Sequence, residues 1–521
     1  MIHRLIHHSA DRTPEAPAIT CRKETLDYGQ LAELVERFGS ALQDLGLQRD
    51  ERVAVYLPKV TETVVALFGA ARAGGVFVPV NPLLKPAQVA YILQDCNVRV
   101  LVTSADRLTL LSPVLESCRD LHTLVVTGGA PAAGVPDGLE CRAWDELLEQ
   151  APRIPEPARI DSDMAAILYT SGSTGRPKGV VLSHRNMVTG ARSVAEYLDN
   201  TPQDRLLAVL PFSFDYGLSQ LTTAFSVGAS AVLMDYLLPR DVIRAVARHR
   251  ITGLAAVPPL WTQLAQLDWP REAAESLRYI TNSGGAMPVT VTRTLQQALP
   301  QTRIYLMYGL TEAFRSTYLP PDQVDKRPES MGRAIPNAEI LVVREDGSEC
   351  APGEPGELVH RGSLVALGYW NDPEKTAERF RPAPGRPGGL PLAETAVWSG
   401  DQVKRDEEGY LYFISRKDEM IKTSGYRVSP TEVEEVVYES GLVMEAAAIG
   451  IPHPSLGQAI LLTVTVKEGV DVDTILSHCK QSLPNFMIPQ KIVSLSRLPR
   501  NQNGKIDRKS LAMEHRDLFM P

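Results

Sequence analysis

The sequence predicts a two-domain α/β protein, in which a large doubly wound α/β domain precedes a small α+β domain. Three observations support this. The chain has 521 residues, more than the roughly 250–300 at which a single hydrophobic core stops growing. Apolar and amphipathic runs alternate through its first third, as strands and helices do in such layers. The texture changes after Glu419, so we divide the chain into domains of residues 1–417 and 418–521.

The individual elements follow from the length and spacing of the apolar runs. Short apolar runs bounded by turn residues indicate strands, and longer amphipathic runs indicate helices. The predicted strands are 52–57, 75–80, 98–103, 445–450 and 459–466, and the predicted helices are 62–72, 430–440 and 473–483.

Composition and charge exclude several classes of function. The net charge of −8 argues against broad nucleic-acid binding, which requires a cationic face. We expect no signal peptide and no membrane span, because the N-terminus lacks an apolar core and the uncharged run 216–234 contains polar residues. The scattered cysteines form no CxxC pair, which indicates reduced thiols and a cytoplasmic protein. They are Cys21, Cys96, Cys118, Cys141, Cys350 and Cys479.

A run of small residues follows an apolar run that ends at Thr170. Residues 171–179 read Ser-Gly-Ser-Thr-Gly-Arg-Pro-Lys-Gly, and such residues let backbone N–H groups approach phosphate oxygens. Lys178 is suited to meet the charge of terminal phosphates, and Ser183 to cap a following helix. This is not the kinase-type P-loop, because no Gly directly precedes Lys178. A flexible surface loop is the alternative. The predicted phosphate-binding residues are Thr170, Ser171, Gly172, Ser173, Thr174, Gly175 and Lys178.

Further motifs follow in a fixed order along nearly the whole chain. They are Tyr308-Gly309-Leu310-Thr311-Glu312, Gly356-Glu357-Leu358, Gly368-Tyr369-Trp370, Ser399-Gly400-Asp401, the runs 415–418 and 421–426, and Asn503-Gly504-Lys505-Ile506-Asp507-Arg508. With the glycine-rich loop they resemble the motifs of the adenylate-forming superfamily, which comprises acyl-CoA synthetases, adenylation domains of nonribosomal peptide synthetases, and luciferases. Residues 214–218, Phe-Asp-Tyr-Gly-Leu, are most similar to the AMP-forming acyl-CoA ligases associated with exosortase A systems.

The resemblance implies an enzyme that activates a carboxylic acid with ATP and Mg²⁺. Such an enzyme releases pyrophosphate and transfers the acyl group from the acyl-adenylate to CoA. The resemblance also implies that a β subdomain completes the N-terminal domain and that the C-terminal domain is a mobile lid. One alternative is the adenylation of an amino acid or another acid, followed by transfer to a free-standing carrier protein. A luciferase-like oxygenase and an inactive binding protein are further alternatives.

Functional residues of the superfamily carry over to the matching positions. Attack of a carboxylate on the α-phosphate brings two anions together, so the site must neutralise charge. The resemblance implies that Lys505 does this, that Glu312 binds Mg²⁺ and that Thr311 bonds a phosphate oxygen. It makes Asp418 the hinge and places Gly425 in the thiol channel. The nucleotide would contact Gly284, Gly285, Ala286, Tyr308, Gly309, Asp401 and Arg416.

Structural interpretations of these residues stay open at this point. Lys505 lies beside an Asn-Gly pair that is also an ordinary turn, Asp401 is a possible cap, and Tyr308 is a possible core residue.

The predicted acyl pocket departs from the commonest pattern of the superfamily, because Phe214 stands where many acyl-CoA synthetases have His. Asp215 resembles the Asp that pairs with the substrate ammonium in amino-acid-activating domains, or it caps a helix. Arg315, if buried, requires an anion, either a substrate carboxylate or Asp215 itself. Tyr216, Ser219, Thr281 and Ser283 would make this pocket moderately polar, which disfavours a long saturated chain. The predicted pocket residues are Phe214, Asp215, Tyr216, Ser219, Ser283, Met307 and Arg315.

Overall fold

The computed structural model describes residues 1–129, 135–170, 177–385, 389, 391–416, 419–423, 426–454 and 456–520. Several predicted functional residues lie outside these ranges. They are Ser171, Gly172, Ser173, Thr174 and Gly175 of the phosphate loop, Asp418 of the hinge and Gly425 of the thiol channel.

The described residues form strands and helices that are numbered here in chain order. The strands are β1 (Pro17–Cys21), β2 (Glu24–Asp27), β3 (Arg52–Tyr56), β4 (Val76–Pro79), β5 (Val98–Ser104), β6 (Thr123–Thr127), β7 (Glu140–Ala143), β8 (Met164–Thr170), β9 (Lys178–Ser183), β10 (Arg205–Ala208), β11 (Ser230–Leu233), β12 (Gly253–Ala256), β13 (Tyr279–Asn282), β14 (Arg303–Tyr308), β15 (Thr317–Leu319), β16 (Ser330–Ala334), β17 (Ala338–Val343), β18 (Gly356–Gly362), β19 (Gly368–Tyr369), β20 (Phe380–Pro382), β21 (Thr395–Arg405), β22 (Leu411–Arg416), β23 (Ile421–Thr423), β24 (Tyr426–Val428), β25 (Val443–His453), β26 (Gly457–Val466) and β27 (Lys491–Ser494). The α-helices are α1 (Arg4–Arg12), α2 (Tyr28–Asp44), α3 (Thr61–Ala73), α4 (Pro86–Asp95), α5 (Ala105–Leu115), α6 (Trp144–Glu149), α7 (His184–Tyr197), α8 (Asp215–Val227), α9 (Pro239–His249), α10 (Pro258–Leu264), α11 (Arg271–Ser276), α12 (Val289–Ala298), α13 (Pro373–Arg379), α14 (Pro430–Glu439), α15 (Val472–Ser482) and α16 (Arg508–Glu514). Short 3₁₀ helices cover Thr311–Ala313, Pro321–Gln323 and Asn485–Met487.

The first sheet of the N-terminal part has the strand order β19-β9-β8-β4-β3-β5-β6-β7. The run from β8 to β7 is parallel, and β9 and β19 extend it antiparallel at the β8 edge. Residues from Val53 to Tyr56 of β3 are all buried, as expected for a central strand of a parallel sheet covered on both faces. The alternation of apolar runs in the sequence therefore gave the correct strands here.

The second sheet combines a parallel and an antiparallel half. Its order is β17-β18-β21-β22-β16-β15-β14-β13-β12-β10-β11-β1-β2, with β20 paired to β21. Strands β14, β13, β12, β10, β11 and β1 are parallel, and the strands from β15 to β17 pair antiparallel. The antiparallel half corresponds to the β subdomain that the superfamily resemblance implies.

Helices α3 and α8 are buried along almost their whole length. Both consist largely of apolar and small residues, and a helix that is apolar on all sides is stable only inside a core. In α8, a Cβ on Gly217 would overlap the carbonyl oxygen of Pro211, so only glycine allows this close approach. Packing therefore fixes the start of α8, where three of the predicted pocket residues lie. In the described residues, no helix is long and apolar enough to cross a membrane.

The C-terminal part forms its own sheet, with the order β24-β23-β26-β25 and β27 beside β26. Helices α14 and α15 cover one face with a core that includes Val433, Val437, Ile460, Leu462 and Ile475. The predicted α+β class is confirmed, and each predicted element occurs within a few residues of its predicted bounds.

Candidate functional site

The predicted phosphate loop connects two paired strands. Thr170 ends β8 and Lys178 begins β9, and the two residues are partners in the antiparallel ladder. Ser183 ends β9 and caps α7 in a capping box with Asn186, as the sequence predicted. The Lys178 Nζ lies 5.0 Å from the ring centroid of Tyr369 in β19. Burial lowers the pKa of Lys178, and nearby Arg379 lowers it further.

A second group of predicted residues follows strand β14. Tyr308 is the last residue of β14, and Thr311 and Glu312 form a 3₁₀ turn directly after it. Glu312 Oε1 accepts a hydrogen bond of 2.5 Å from the Tyr369 hydroxyl. Tyr369 therefore contacts both Lys178 and Glu312 and links the phosphate-loop strands to this turn.

Asp401 and Arg416 are partners on the neighbouring strands β21 and β22. Arg416 Nε lies 3.2 Å from Asp401 Oδ1, and the Tyr308 hydroxyl donates to Asp401 Oδ2. Burial raises the pKa of the Asp401 carboxyl, and the charge of Arg416 acts in the opposite direction. Asp401 caps no helix, and Tyr308 has a partly buried ring and donates a hydrogen bond to this carboxylate.

Lys505 reaches this site from the C-terminal part. It lies in a tight hairpin, where its backbone N–H donates to Asn501 Oδ1 and Gly504 adopts a φ of 78°. The Asn81 side chain donates to the backbone carbonyl of Gln502 at 2.7 Å, which attaches the hairpin to the N-terminal part. Lys505 therefore does not behave as an exposed loop lysine.

The Lys505 ammonium lies where the predicted acyl pocket meets the nucleotide residues. Its Nζ is 5.3 Å from the ring centroid of Phe214, and a Cβ on Gly284 would lie only 2.9 Å from its Cε. Burial lowers the pKa of Lys505, as does the charge of Arg416. The carboxylates of Asp215, Asp401 and Glu312 act in the opposite direction. The structure thus brings together cations and carboxylates that are distant in the sequence.

The predicted acyl pocket begins at the N-terminus of α8. Asp215 is fully buried and accepts a hydrogen bond of 3.2 Å from the Thr311 hydroxyl. It does not cap α8, where Phe214 is the N-cap residue and no side chain caps. Tyr216 and Thr281 share a hydrogen bond of 2.5 Å between their hydroxyls. Burial raises the pKa of Asp215, opposed by the charges of Arg315 and Lys505.

The other predicted pocket residues are also buried. Ser219 approaches Thr223 within α8, Met307 accepts a hydrogen bond from Tyr197, and Ser283 follows β13. Arg315 is buried but forms no ion pair with Asp215 at 4.0 Å or less. The structural pairing of Arg315 with Asp215, one of the two options that the sequence left open, is therefore not a direct contact.

Two residues of this site were missed in the sequence. The sequence analysis assigned Tyr369 only to a structural motif. Nothing in the residues around it indicated that its hydroxyl would contact Glu312. Arg379, at the end of α13, donates to the carbonyl of Trp398. Burial lowers the pKa of Arg379, but nearby Glu312 and Tyr369 raise it more, so it is another cation at this site. An arginine within a charged helical run has no sequence feature that would identify it as a site residue.

The carboxylate of Glu312 is a suitable ligand for Mg²⁺. In the described ranges, no group of three or more His, Cys, Asp or Glu side chains is arranged to hold a metal ion. Mg²⁺ is commonly held by one or two carboxylates together with substrate phosphates and water, so a single glutamate near the cations Lys178 and Arg379 fits this ion.

Comparison with known proteins identifies the family. The family model described as AMP-binding enzyme matches residues 6–370. The chain belongs to the AMP-binding enzyme family. The model of the C-terminal domain of AMP-binding enzymes matches residues 432–505, which include Lys505. The predicted adenylate-forming superfamily is thereby confirmed.

Individual relatives within this family are similar over nearly the full chain. The long-chain-fatty-acid–CoA ligase of Salmonella typhimurium is 30% identical over 98% of this chain and 94% of its own. The crystal structure of the anthranilate CoA ligase AuaEII with anthranoyl-AMP has a TM-score of 0.88 at 25% identity, covering 98% of this chain and 96% of that one. O-succinylbenzoate coenzyme A synthetase from Bacillus subtilis, with ATP and magnesium ion, has a TM-score of 0.82 at 26% identity, covering 97% and 98%. The predicted enzyme class, an AMP-forming acyl-CoA ligase, is supported by these relatives.

Proposed function

We propose that this member of the family activates a carboxylic acid with ATP, releases pyrophosphate and transfers the acyl group from the acyl-adenylate to CoA. One observation carries this proposal. The ammonium of Lys505, from the C-terminal part, lies between the start of the predicted acyl pocket and the carboxylates that would surround a nucleotide. A cation at this junction suits the meeting of a substrate carboxylate with an α-phosphate.

In the first half-reaction a carboxylate oxygen attacks the α-phosphorus of ATP. The new O–P bond forms as the bond to the pyrophosphate oxygen breaks, and no proton has to be transferred. Lys505 would hold the two reacting anions together, which lowers the barrier because the ammonium is already fixed in place. Its lowered pKa reflects a buried cation whose charge is less screened than in water.

The leaving pyrophosphate would meet a second set of charges. Lys178 and the newly found Arg379 lie near Glu312 and would neutralise the β- and γ-phosphates together with the backbone of residues 171–175. Glu312 would bind Mg²⁺, which supplies further charge neutralisation when it is present. Thr311 would then exchange its bond to Asp215 for one to a phosphate oxygen.

The nucleoside would lie between the end of β13 and strand β21. The backbone of Gly284, Gly285 and Ala286 would face the adenine, with Tyr308 and Gly309 on the other side. Asp401 would accept bonds from the ribose hydroxyls, and Arg416 would contact the ribose or a phosphate. Support comes from the burial of the Asp401 carboxylate, which rests on Tyr308 and Arg416 at the surface of this cleft.

In the second half-reaction the thiol of CoA gives up its proton to solvent, its sulfur attacks the acyl carbonyl, and AMP leaves with the C–O bond electrons. We propose that the C-terminal domain, residues 418–521, rotates about Asp418 between the two steps and that Gly425 then lines the thiol channel. A free-standing carrier protein is the alternative thiol donor.

Because ATP and CoA are held inside cells, we also propose a cytoplasmic location, which fractionation of cells that express the protein would test.

Pyrophosphate exchange tests the proposal directly. We expect exchange of labelled pyrophosphate into ATP that depends on a carboxylic acid and on Mg²⁺, and formation of acyl-CoA when CoA is added. The same reaction with a panel of carrier proteins tests the alternative thiol. A folded protein that binds ATP but supports exchange with no acid, tested over short, aromatic, long and dicarboxylic acids, would refute the proposed activity.

A further inference from the structure

Arg315 is a buried guanidinium that has no hydrogen-bond or ion-pair partner among the residues that the structure describes. The residue is 1% exposed, and its Nε is buried with no hydrogen-bond acceptor. No described side chain or carbonyl accepts a hydrogen bond from any of its nitrogens, and no described carboxylate lies within ion-pair distance. An unpaired buried cation is costly, because burial removes its hydration without replacing it.

The other fully buried arginine shows how the fold normally satisfies such a group. Arg72 is also 1% exposed, but it donates to the side chains of Glu36 and Gln43 and to the carbonyl of Ile154. Both arginines are equally removed from water and the Nε of each lacks an acceptor, but within the described ranges only Arg72 has acceptors for its terminal nitrogens. The difference indicates that the acceptor for Arg315 comes from outside the chain.

Asp215 does not serve as that acceptor. It lies near enough for its charge to interact with Arg315, but its Oδ1 accepts from Thr311 and it forms no ion pair with the guanidinium. The guanidinium instead lies over the ring of Tyr216, whose centroid is 4.6 Å from the Arg315 Cζ. A ring face stabilises a cation but uses none of its N–H donors.

The position of Arg315 relates it to the reacting end of the acyl pocket. The Lys505 ammonium lies over Phe214, whereas the Arg315 guanidinium lies over Tyr216, and the two ring centroids are 6.1 Å apart. The two rings therefore meet edge to face, with a cation against each of them. A substrate carboxylate that reacts at Lys505 leaves the rest of the acid extending toward the Tyr216 end.

We propose that the acyl substrate is a dicarboxylic acid whose second carboxylate binds Arg315. The planar fork of a guanidinium matches the two oxygens of a carboxylate, which makes this pairing strong and specific for geometry. The hydroxyls of Tyr216 and Thr281 give the same region a polar lining. The inference rests on the proposed function and specifies its substrate class.

Matched pairs of acids test this inference with the wild-type enzyme alone. We would measure kcat/KM for pyrophosphate exchange with succinate against butyrate, glutarate against valerate, and adipate against hexanoate. Each pair has the same number of carbons and differs in the second carboxylate. At least one diacid should exceed its monoacid by about 100-fold, since loss of one partner of a buried charge pair typically has an effect of this size. Robust exchange with monoacids and no preference for any diacid would overturn the inference and leave the proposed function intact.

Two variants locate the preference at Arg315. Arg315→Met should reduce the diacid-to-monoacid ratio toward one, and Arg333→Met is the matched control. Arg333 also lies over a ring, 4.0 Å from the centroid of Tyr410, but it is exposed and donates to the backbone carbonyl of Glu408, so the ratio should not change. If Arg315→Met fails to fold, Arg315→Lys keeps the charge without the fork and should lower the ratio several-fold. An unchanged ratio in either folded Arg315 variant would contradict the assignment, whereas absence of exchange with every acid would instead contradict the proposed function.

Discussion

Replacing Lys505 by alanine should separate the two half-reactions. The substitution removes the charge that the C-terminal hairpin brings to Phe214 and Gly284. We expect adenylation to be nearly abolished. Thioester formation from a supplied acyl-adenylate should persist, because the proposed rotation about Asp418 withdraws this residue before the thiol attacks.

The size of the loss follows from the charge and its surroundings. An ammonium about 3.5 Å from a phosphate oxygen interacts by about 5 kcal/mol per unit charge at an effective dielectric constant of about 20. Only the part that is stronger in the transition state than in the ground state accelerates the reaction. Loss of one such charge-stabilising group typically costs about 3–4 kcal/mol, which corresponds to about 10²–10³ in rate.

Single-turnover measurements of both steps decide the result. Lys491→Ala, which removes an exposed lysine from the same domain, is the matched control and should retain both rates. The Asn81 side chain donates to the backbone carbonyl of Gln502, so Lys505→Ala leaves that bond in place. Equal losses in adenylation and in thioester formation would refute the rotation, and an unchanged adenylation rate would remove Lys505 from the reaction.

Four further predictions concern the hinge, the metal, pH and the substrate. Asp418→Pro, which fixes φ at about −65°, should impair one half-reaction selectively. Normal rates in both steps would show that Asp418 is not the pivot. Glu312→Gln should slow adenylation and weaken its Mg²⁺ dependence with little change in the apparent affinity for the acid, and a wild-type rate at low Mg²⁺ would contradict its role. Burial lowers the pKa of both Lys178 and Lys505, so kcat/KM for adenylation should decrease as pH rises through values below 10.5, where these ammonium groups lose their protons. Lys505→Arg should shift this decrease to higher pH. An alkaline decrease at the same pH in both enzymes would exclude Lys505 as its origin. Pyrophosphate exchange should require amine-free acids, and robust exchange with an amino acid that is lost in Asp215→Ala would instead establish amino-acid activation.

The elements of both domains could be predicted from local pattern. The apolar runs at β3 and β5 have the length of a strand and are rich in β-branched residues, so they indicate buried strands even when the neighbouring strands are not known. The cap at Ser183 is equally local, since it depends on Asn186 three residues later. The order of strands in the sheets follows from contacts that no single segment contains.

The ordered motifs predicted which residues form the site and which chemical role each has, but not which of them contact one another. Tyr369 belongs to a motif that the sequence analysis treated as structural. The pairing of β19 with β9 places its hydroxyl against Glu312. Arg379 lies on a short helix whose packing turns its guanidinium toward the same glutamate. Such contacts arise between segments far apart in the chain, so local pattern carries no information about them.

The sequence by itself determined the two-domain α/β class, the superfamily and the identity of the main charged residues, because these depend on composition, periodicity and the order of motifs. Only the tertiary structure decided which charges have partners. Arg315 and Asp215 are both buried and were expected as a possible pair, yet Asp215 bonds Thr311 and Arg315 faces Tyr216. The reason is that an ion pair requires a distance of a few ångströms and a defined direction, and the packing of α8 against the turn after β14 sets both.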